Sequence, residues 1–518
     1  MKKMTALTAT LFGALCLLAC TPNPDNGGGG EEPDPSTNPY DEQIKDTTVE
    51  IYNYAPNAPR TAYYAVSVQG KGKPQDCYVF PVGKDGVGAS NGRLYDIPHI
   101  ATFGADGMVR VEIIPLQVVP ETVEVLPGVK EYPNWIEDGK VVVYLSEGDK
   151  ASVVINGDLE HPVFLFVHSL ETDKPSKDDP NVIYFEAGKI HDRQPKLSAQ
   201  SNQTIYIEGG AIVLGAVYIQ DVENVTISGH GIMDDYHIVH DEGTHKNWGM
   251  RLYRCKNMTV KDILLANMHG WTTYAVECED VTFDNYKVIA AWNEYNNTGV
   301  ENDGMGVMCG KRIKFLNTFS YSHDDTYVIK SGKWSYKGEV EDVLYDGCMA
   351  WNRWGGNAFE IGYEVPYNIS NIRYRNCYVL RSAISIGYTF RHGAMSIHNS
   401  GKGTVSNVSY ENMHIDNPDE FGIYFSIIKS SNTLPDGEVW GPGNINGVSM
   451  KNIYMYNTPP YGNILFGYDK DHTVKNISIE NLVINGQKCM SIKDANFTVD
   501  QAQAKVSYPV PDSEVTFK

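Results

Sequence analysis

The sequence is short of positive charge. Its 43 lysines and arginines face 64 aspartates and glutamates, a formal net charge of −21 over 518 residues. A chain without a basic footprint is not built to bind nucleic acid. Cysteines are few, at 16, 20, 77, 255, 278, 309, 348, 377 and 489, and no two have the CxxC spacing of a zinc or redox motif. Beyond the first 20 residues no uninterrupted apolar run reaches 18 residues, so no later segment is long enough for a membrane-spanning helix. The 3.6-residue periodicity of amphipathic helices is absent as well. What is abundant is glycine (48) and tyrosine (33), with 42% apolar and 21% charged residues. That balance excludes a disordered or collagen-like chain and favours turn-rich β structure around a large core.

The chain opens with Lys2 and Lys3, an apolar run from Leu7 to Leu18, and then Leu17-Leu18-Ala19-Cys20. This resembles a bacterial lipoprotein signal, which implies cleavage before Cys20, lipidation of its thiol and a place on the cell envelope, anchored to the outer membrane. Residues 1–20 are therefore read as the signal. Residues 21–45, rich in Gly, Pro and acids, are read as a flexible tether. Residues 46–175 carry short alternating runs such as AYYAVSV and VRVEIIP between Pro and Gly turns. They predict an antiparallel β-sandwich.

From residue 176 to 518 the pattern is a repeat. A unit of the form Asn-apolar-x-apolar-x-x-apolar begins at 224, 257, 280, 312, 342, 371, 407, 447 and 476, at intervals of 23 to 40 residues. A repeat of short strands at that period predicts a solenoid, here an all-β, right-handed parallel β-helix. The seventh position of each unit, which includes Ile263, Tyr286, Cys348 and Cys377, is mostly apolar and expected to face the core. Cys348 and Cys377 are accordingly read as stacked core thiols. His230 shares that position but lies in Gly229-His230-Gly231 and is read as part of a turn. A second register sets Trp248, Thr272, Asp303, Asp325, Asn357 and Ser382 at one corner, followed two and four residues on by apolar positions that include Tyr274 and Val276.

Two carboxylates share that corner. Asp303, in Asn302-Asp303-Gly304, and Asp325, in Asp324-Asp325-Thr326, are 22 residues apart, one coil. They should stand on adjacent rungs roughly 5 Å apart, with Asp324 beside them. Like charges this close raise at least one pKa, and a carboxyl held protonated is what a general acid needs. Asp and Asn also suit plain turns, and clustered carboxylates also suit calcium, although no metal and no cofactor is expected here. Trp271, Trp292, Trp334, Trp351 and Trp354 flank the corner, and aromatic faces stack on sugar rings.

Asn302-Asp303-Gly304 and Asp324-Asp325-Thr326-Tyr327-Val328-Ile329-Lys330-Ser331-Gly332 resemble the catalytic segments of glycoside hydrolase family 28, the polygalacturonases. The plan of a β-sandwich before a β-helix, and the helix-opening segment YIEGGAIVLGAVYI at 206–219, resemble family 49 of the same clan, the dextranases and isopullulanases. The resemblance implies an inverting hydrolase. Asp324 would be the general acid, and Asp303 and Asp325 would orient and deprotonate the water. Inversion calls for acid and base about 6.5–9.5 Å apart. Lys330, Asn357, Glu360, Trp292, Trp354 and Arg391 are the expected substrate-binding residues. Asn357 stands where the polygalacturonases carry the histidine of a Gly-His-Gly segment. Arg312-Ile313-Lys314 spells their carboxylate clamp, but in the strand before the acids. A neutral, α-linked polysaccharide or oligosaccharide is therefore the expected substrate. The competing readings are a polygalacturonase-like pectin hydrolase, a polysaccharide lyase and an inactive surface glycan-binding protein.

Overall fold

The computed structural model describes residues 38–83, 96–235, 249–268, 270–290, 302–353, 355–382, 392–428, 441–497, 508–510 and 512–518. Cys20 and its leader lie outside them, as do Trp292, Trp354 and Arg391.

Residues 49–168 build two facing sheets. Five strands form one, in the order Gln75–Cys77, Tyr64–Gln69, Val109–Pro115, Lys140–Leu145, Asn134–Glu137. Six form the other, among them His99–Ala105, Val163–His168 and Lys150–Ile155. Val66, Val68, Val111 and Val143 of the first pack on Ala101, Phe103, Val153 and Leu165 of the second. The sandwich is not wholly antiparallel as expected, because Val163–His168 runs parallel to His99–Ala105. The second sheet is also apolar on its outer face. There Ile100, Val154, Phe164 and Phe166 meet Leu264, Ile289, Phe319, Tyr321 and Trp351 of the following domain. That is why Val163–Val167 is a continuous apolar run and not an alternating one, with every residue of Val163–His168 buried.

From Val182 onward a single 30-stranded sheet winds through the chain, each strand pairing in parallel with its counterpart one coil later. This is a parallel β-helix. Its pairings turn antiparallel only near the C-terminal end, at Tyr508–Pro509 and Gln487–Cys489. The repeat has a backbone cause. Asn224, Asn257, Asp280, Asp342, Asn371, Asn407 and Asn476, which open seven of the units, sit in the left-handed region with φ between 50° and 62°. Asn and Asp enter that region more readily than other side chains. Asn side chains also bond up the stack, Asn376 to Asn412 to Asn452 to Asn481, at 2.9–3.1 Å. Inside, Phe283, Phe315, Tyr345, Tyr374 and Tyr410 stack ring on ring at 4.7–4.8 Å and within 8° of parallel. That is the rung spacing itself. Cys348 and Cys377 are buried in the core with no disulfide, as are Cys255 and Cys278.

The second register differs from expectation in two coils. Thr273, not Tyr274, pairs with Met250 and Met305 in the inward column. Tyr274 therefore faces outward. After Phe359 the column continues at Met395, not at Ile384.

Candidate active site

Asp303, Asp324 and Asp325 are held on two successive turns of the coil. The amide of Gly304 donates to the carbonyl of Asp325 at 2.8 Å, so Asp303 and Asp325 stand on adjacent rungs. One carboxylate oxygen from each of the three aspartates lies within 4.8 Å of the others.

Each acid has its own surroundings. Asp303 accepts a 2.5 Å hydrogen bond from the hydroxyl of Tyr274. The Tyr274 ring occupies space that only a glycine at 306 leaves open, since a Cβ there would fall 2.3 Å from the ring. Asp325 accepts the backbone amide and the side-chain amide of Asn357 on one oxygen, at 2.8 and 3.0 Å. Asp324 turns an oxygen back onto the amide of Asp325 at 2.9 Å, and its carbonyl accepts from the Asn352 side chain. Gly356 (φ +72°) packs directly behind this pair. A Cβ at that position would lie 2.3 Å from the Asp325 nitrogen and 2.4 Å from the Asp324 carbonyl carbon.

Lys330 divides the three. Its ammonium lies 3.9 Å from Asp303 and 3.8 Å from Asp325, and it makes a 2.9 Å ion pair with Glu364, which also binds Lys333 at 2.8 Å. Burial alone would lower the Lys330 pKa; Glu364, Asp303 and Asp325 outweigh it and push it above its usual range. Burial likewise opposes ionisation of Glu364, yet Lys330 and Lys333 hold it down to about 2. Asp324 goes the other way. Burial first, and then the charges of Asp303 and Asp325, push it well above the carboxylate range.

The remaining expected site residues fall in different places. Asn357 is fully enclosed, and its side-chain oxygen accepts the Gly393 amide at 2.9 Å. Glu360 is fully enclosed against His398 at 3.0 Å, and burial raises its pKa. Asn357 supports Asp325 from behind, and neither residue is exposed on a sugar-facing surface. Of the tryptophans, Trp351 is buried in the seam with the sandwich and is no sugar platform. Trp271 is 3% exposed, stacked 4.7 Å from Tyr274 with Lys330 5.0 Å over its ring. Trp334 leans on Trp271 at 4.6 Å and is partly exposed. Arg312 is paired with Asp280 and Glu279, so the Arg-Ile-Lys triplet is no clamp at this site.

Sequence reasoning missed Tyr274, Glu364 and a contribution from the sandwich. Asp96 accepts from the hydroxyl of Tyr321 at 2.6 Å and meets His323 at 2.9 Å, all three being fully buried. His323 is the residue before Asp324. The sandwich thus buttresses the segment that carries two of the acids. For Tyr274 the signal was present but read one residue out of register; for Glu364 and Asp96 the sequence has no local pattern.

The three carboxylates are also a possible divalent-ion site by composition, although Lys330 takes up two of them.

No family model matches the sequence, and no curated protein matches it. Among solved structures, Dex49A from Penicillium minioluteum is similar over 90% of this chain and 97% of its own, with a TM-score of 0.58 and 14% identity. A polygalacturonase from Erwinia carotovora ssp. carotovora is similar over 56% of this chain and 81% of its own, with a TM-score of 0.42 and 15% identity. The fold expected from the resemblance to β-helix glycoside hydrolases is the fold this chain has.

Proposed function

We propose that the chain is a glycoside hydrolase acting on a neutral, α-linked polysaccharide or oligosaccharide, as dextranases do, with inversion at the anomeric carbon. The observation that carries this reading is the asymmetry of the acid cluster. Asp324 has its pKa pushed up, whereas Asp303 and Asp325 both face Lys330. Asp324 donates its proton to the glycosidic oxygen as the bond from the anomeric carbon to that oxygen breaks. Asp303 and Asp325 hold a water between them, accept its proton and aim its oxygen at the same carbon. Two carboxylates on one lysine suit a shared water better than a single nucleophile. The other outcome is retention through a covalent intermediate. Proton NMR of the first product decides: an α-linked substrate yields a β-anomer by inversion and an α-anomer by retention.

The neutral substrate is supported by charge. Lys330 and Lys333 are both engaged by Glu364, so neither is spare for a uronate. Residues 21–518 are to be incubated with dextran, pullulan, other α-glucans, galactan and polygalacturonate, and new reducing ends counted. Release from a neutral glycan is expected. Release from polygalacturonate alone would overturn the reading. From the leader sequence we further propose that Cys20 is lipidated, and Cys20→Ala should then move the protein from the membrane to the soluble fraction.

A further inference from the structure

The Gly229-His230-Gly231 turn takes no part in the acid cluster, yet it is tightly built. A Cβ on Gly229 (φ +113°) would fall 2.0 Å from the Ile207 carbonyl oxygen, and one on Gly231 2.2 Å from the Ile207 side chain. The backbone therefore fixes where His230 points. It points into the seam, against His168 at the end of strand Val163–His168, with the ring centroids 4.2 Å apart. One coil on, Asp262 occupies a left-handed turn (φ 67°) and faces the same spot.

We propose that His168, His230 and Asp262 bind one divalent transition-metal ion of the zinc type, clasping the sandwich to the β-helix. One ligand atom from each lies within 4.8 Å of the others. His230 Nε2 and Asp262 Oδ2 are 4.0 Å apart, too far for a direct hydrogen bond. Ligands at 2.0–2.2 Å from a tetrahedral zinc stand about 3.3–3.6 Å apart, so an ion fits once the side chains close by roughly an ångström. On His230 and Asp262 the supporting contacts turn one ligand atom each toward the other. The Tyr52 hydroxyl holds His230 Nδ1 at 2.7 Å, which leaves Nε2 facing Asp262. The Asn285 amide donates to Asp262 Oδ1 at 2.7 Å, which leaves Oδ2 facing His230. Outer contacts of this kind orient metal ligands and set the histidine tautomer. Both imidazoles are nearly enclosed, 2% and 6% exposed. Asp262 is partly exposed, and the exposed Lys261 ammonium lies 3.7 Å from the same Oδ2, so a bound ion would displace it toward solvent. The neighbour that must give way is Lys287, whose amine lies 3.5 and 3.4 Å from Nδ1 and Nε2 of His168 and donates to the Asp262 carbonyl at 3.1 Å. It lies outside the proposed ligand set.

The test uses the full soluble chain, stripped with a chelator and dialysed against zinc or cobalt. We expect one ion per chain and, for cobalt, visible absorption typical of nitrogen and oxygen ligands. His168→Gln, His230→Gln and Asp262→Asn should each weaken binding at least about tenfold, while each still melts cooperatively without metal. Asp324→Asn should bind as wild type does, which separates this site from the acid cluster. Lys287→Met should keep the ion, and its loss there would overturn the three-ligand assignment. Absence of stoichiometric binding to the wild type would overturn the proposal. So would binding unchanged in both histidine variants, or binding lost only in Asp324→Asn.

Discussion

Asp324 is distinguished from Asp303 and Asp325 by where Lys330 lies. The lysine stands within 4 Å of the other two, while at Asp324 burial and two like charges outweigh the pull of Lys330 and of the Asp325 amide. An aspartate titrates near 3.9 in the unfolded chain (about 4), and the folded Asp324 titrates well above it. The native state therefore holds the extra proton in that window, and this group's contribution to stability falls as pH rises from about 4 through the raised value. Asp324→Asn should abolish hydrolysis, by about 10²–10⁴-fold in kcat. It should also raise Tm at pH values above the Asp324 pKa. A variant that lost activity while also losing stability at that pH would contradict this account. Tyr274 acts on Asp303 through a single 2.5 Å hydrogen bond. A hydrogen bond to a charged group contributes about 1.5–3 kcal/mol, so Tyr274→Phe should lower kcat about 10- to 100-fold with little change in KM. At this scale the acids were legible because three carboxylates sat in two recognisable segments. Tyr274 was not, because Thr273–Val276 is buried at every position. A strand enclosed on both faces gives no parity to read, and a one-residue slip reverses every side chain.

The coil was the most legible element. Its mark is the Asn or Asp that opens seven of the nine units, and the cause is the left-handed turn that residue occupies. The exception proves informative at Arg312, which adopts the same conformation at φ 55° with no such preference; there the guanidinium binds Asp280 from the coil before. The column beyond Asn357 was lost to sequence reading because the assumed interval, from Asn357 to Ser382, falls short of the 36 residues that separate Phe359 from its rung partner Met395. Gly356 is the turn on which the acid segment rests. Gly356→Ala places a methyl group against the Asp324–Asp325 backbone and strains a positive φ. It should cost about 1–3 kcal/mol of stability, read as a fall in Tm, and reduce kcat more than KM by displacing both acids.

At the scale of the molecule, the sandwich is part of the site's foundation. Phe164 and Phe166 cover Phe319, Tyr321 and Trp351 of the helix, and Asp96 secures Tyr321 and His323 below the acids. None of this was legible. The sandwich strands could be drawn from their alternation, but the sheet with two apolar faces reads only as hydrophobic, and a contact between residues 227 positions apart leaves no local trace. Asp96→Ala removes the shared acceptor of two buried donors. Breaking such a buried pair costs about 3–5 kcal/mol, so Tm should fall and activity with it, although Asp96 is far in sequence from every acid. Full activity in a folded Asp96→Ala would show that the sandwich merely covers the helix.

The measurement that bears most directly on the central claim compares wild type with Asp324→Asn on two substrates: the polymer identified by the reducing-end screen, and the α-glycosyl fluoride of the same sugar. Fluoride leaves without a proton, so it needs no general acid. If Asp324 supplies that proton, the variant loses the polymer and keeps hydrolysis of the fluoride close to the wild-type rate, while Asp303→Asn loses both. Equal loss of both substrates in Asp324→Asn, or full retention of both, would contradict the assignment.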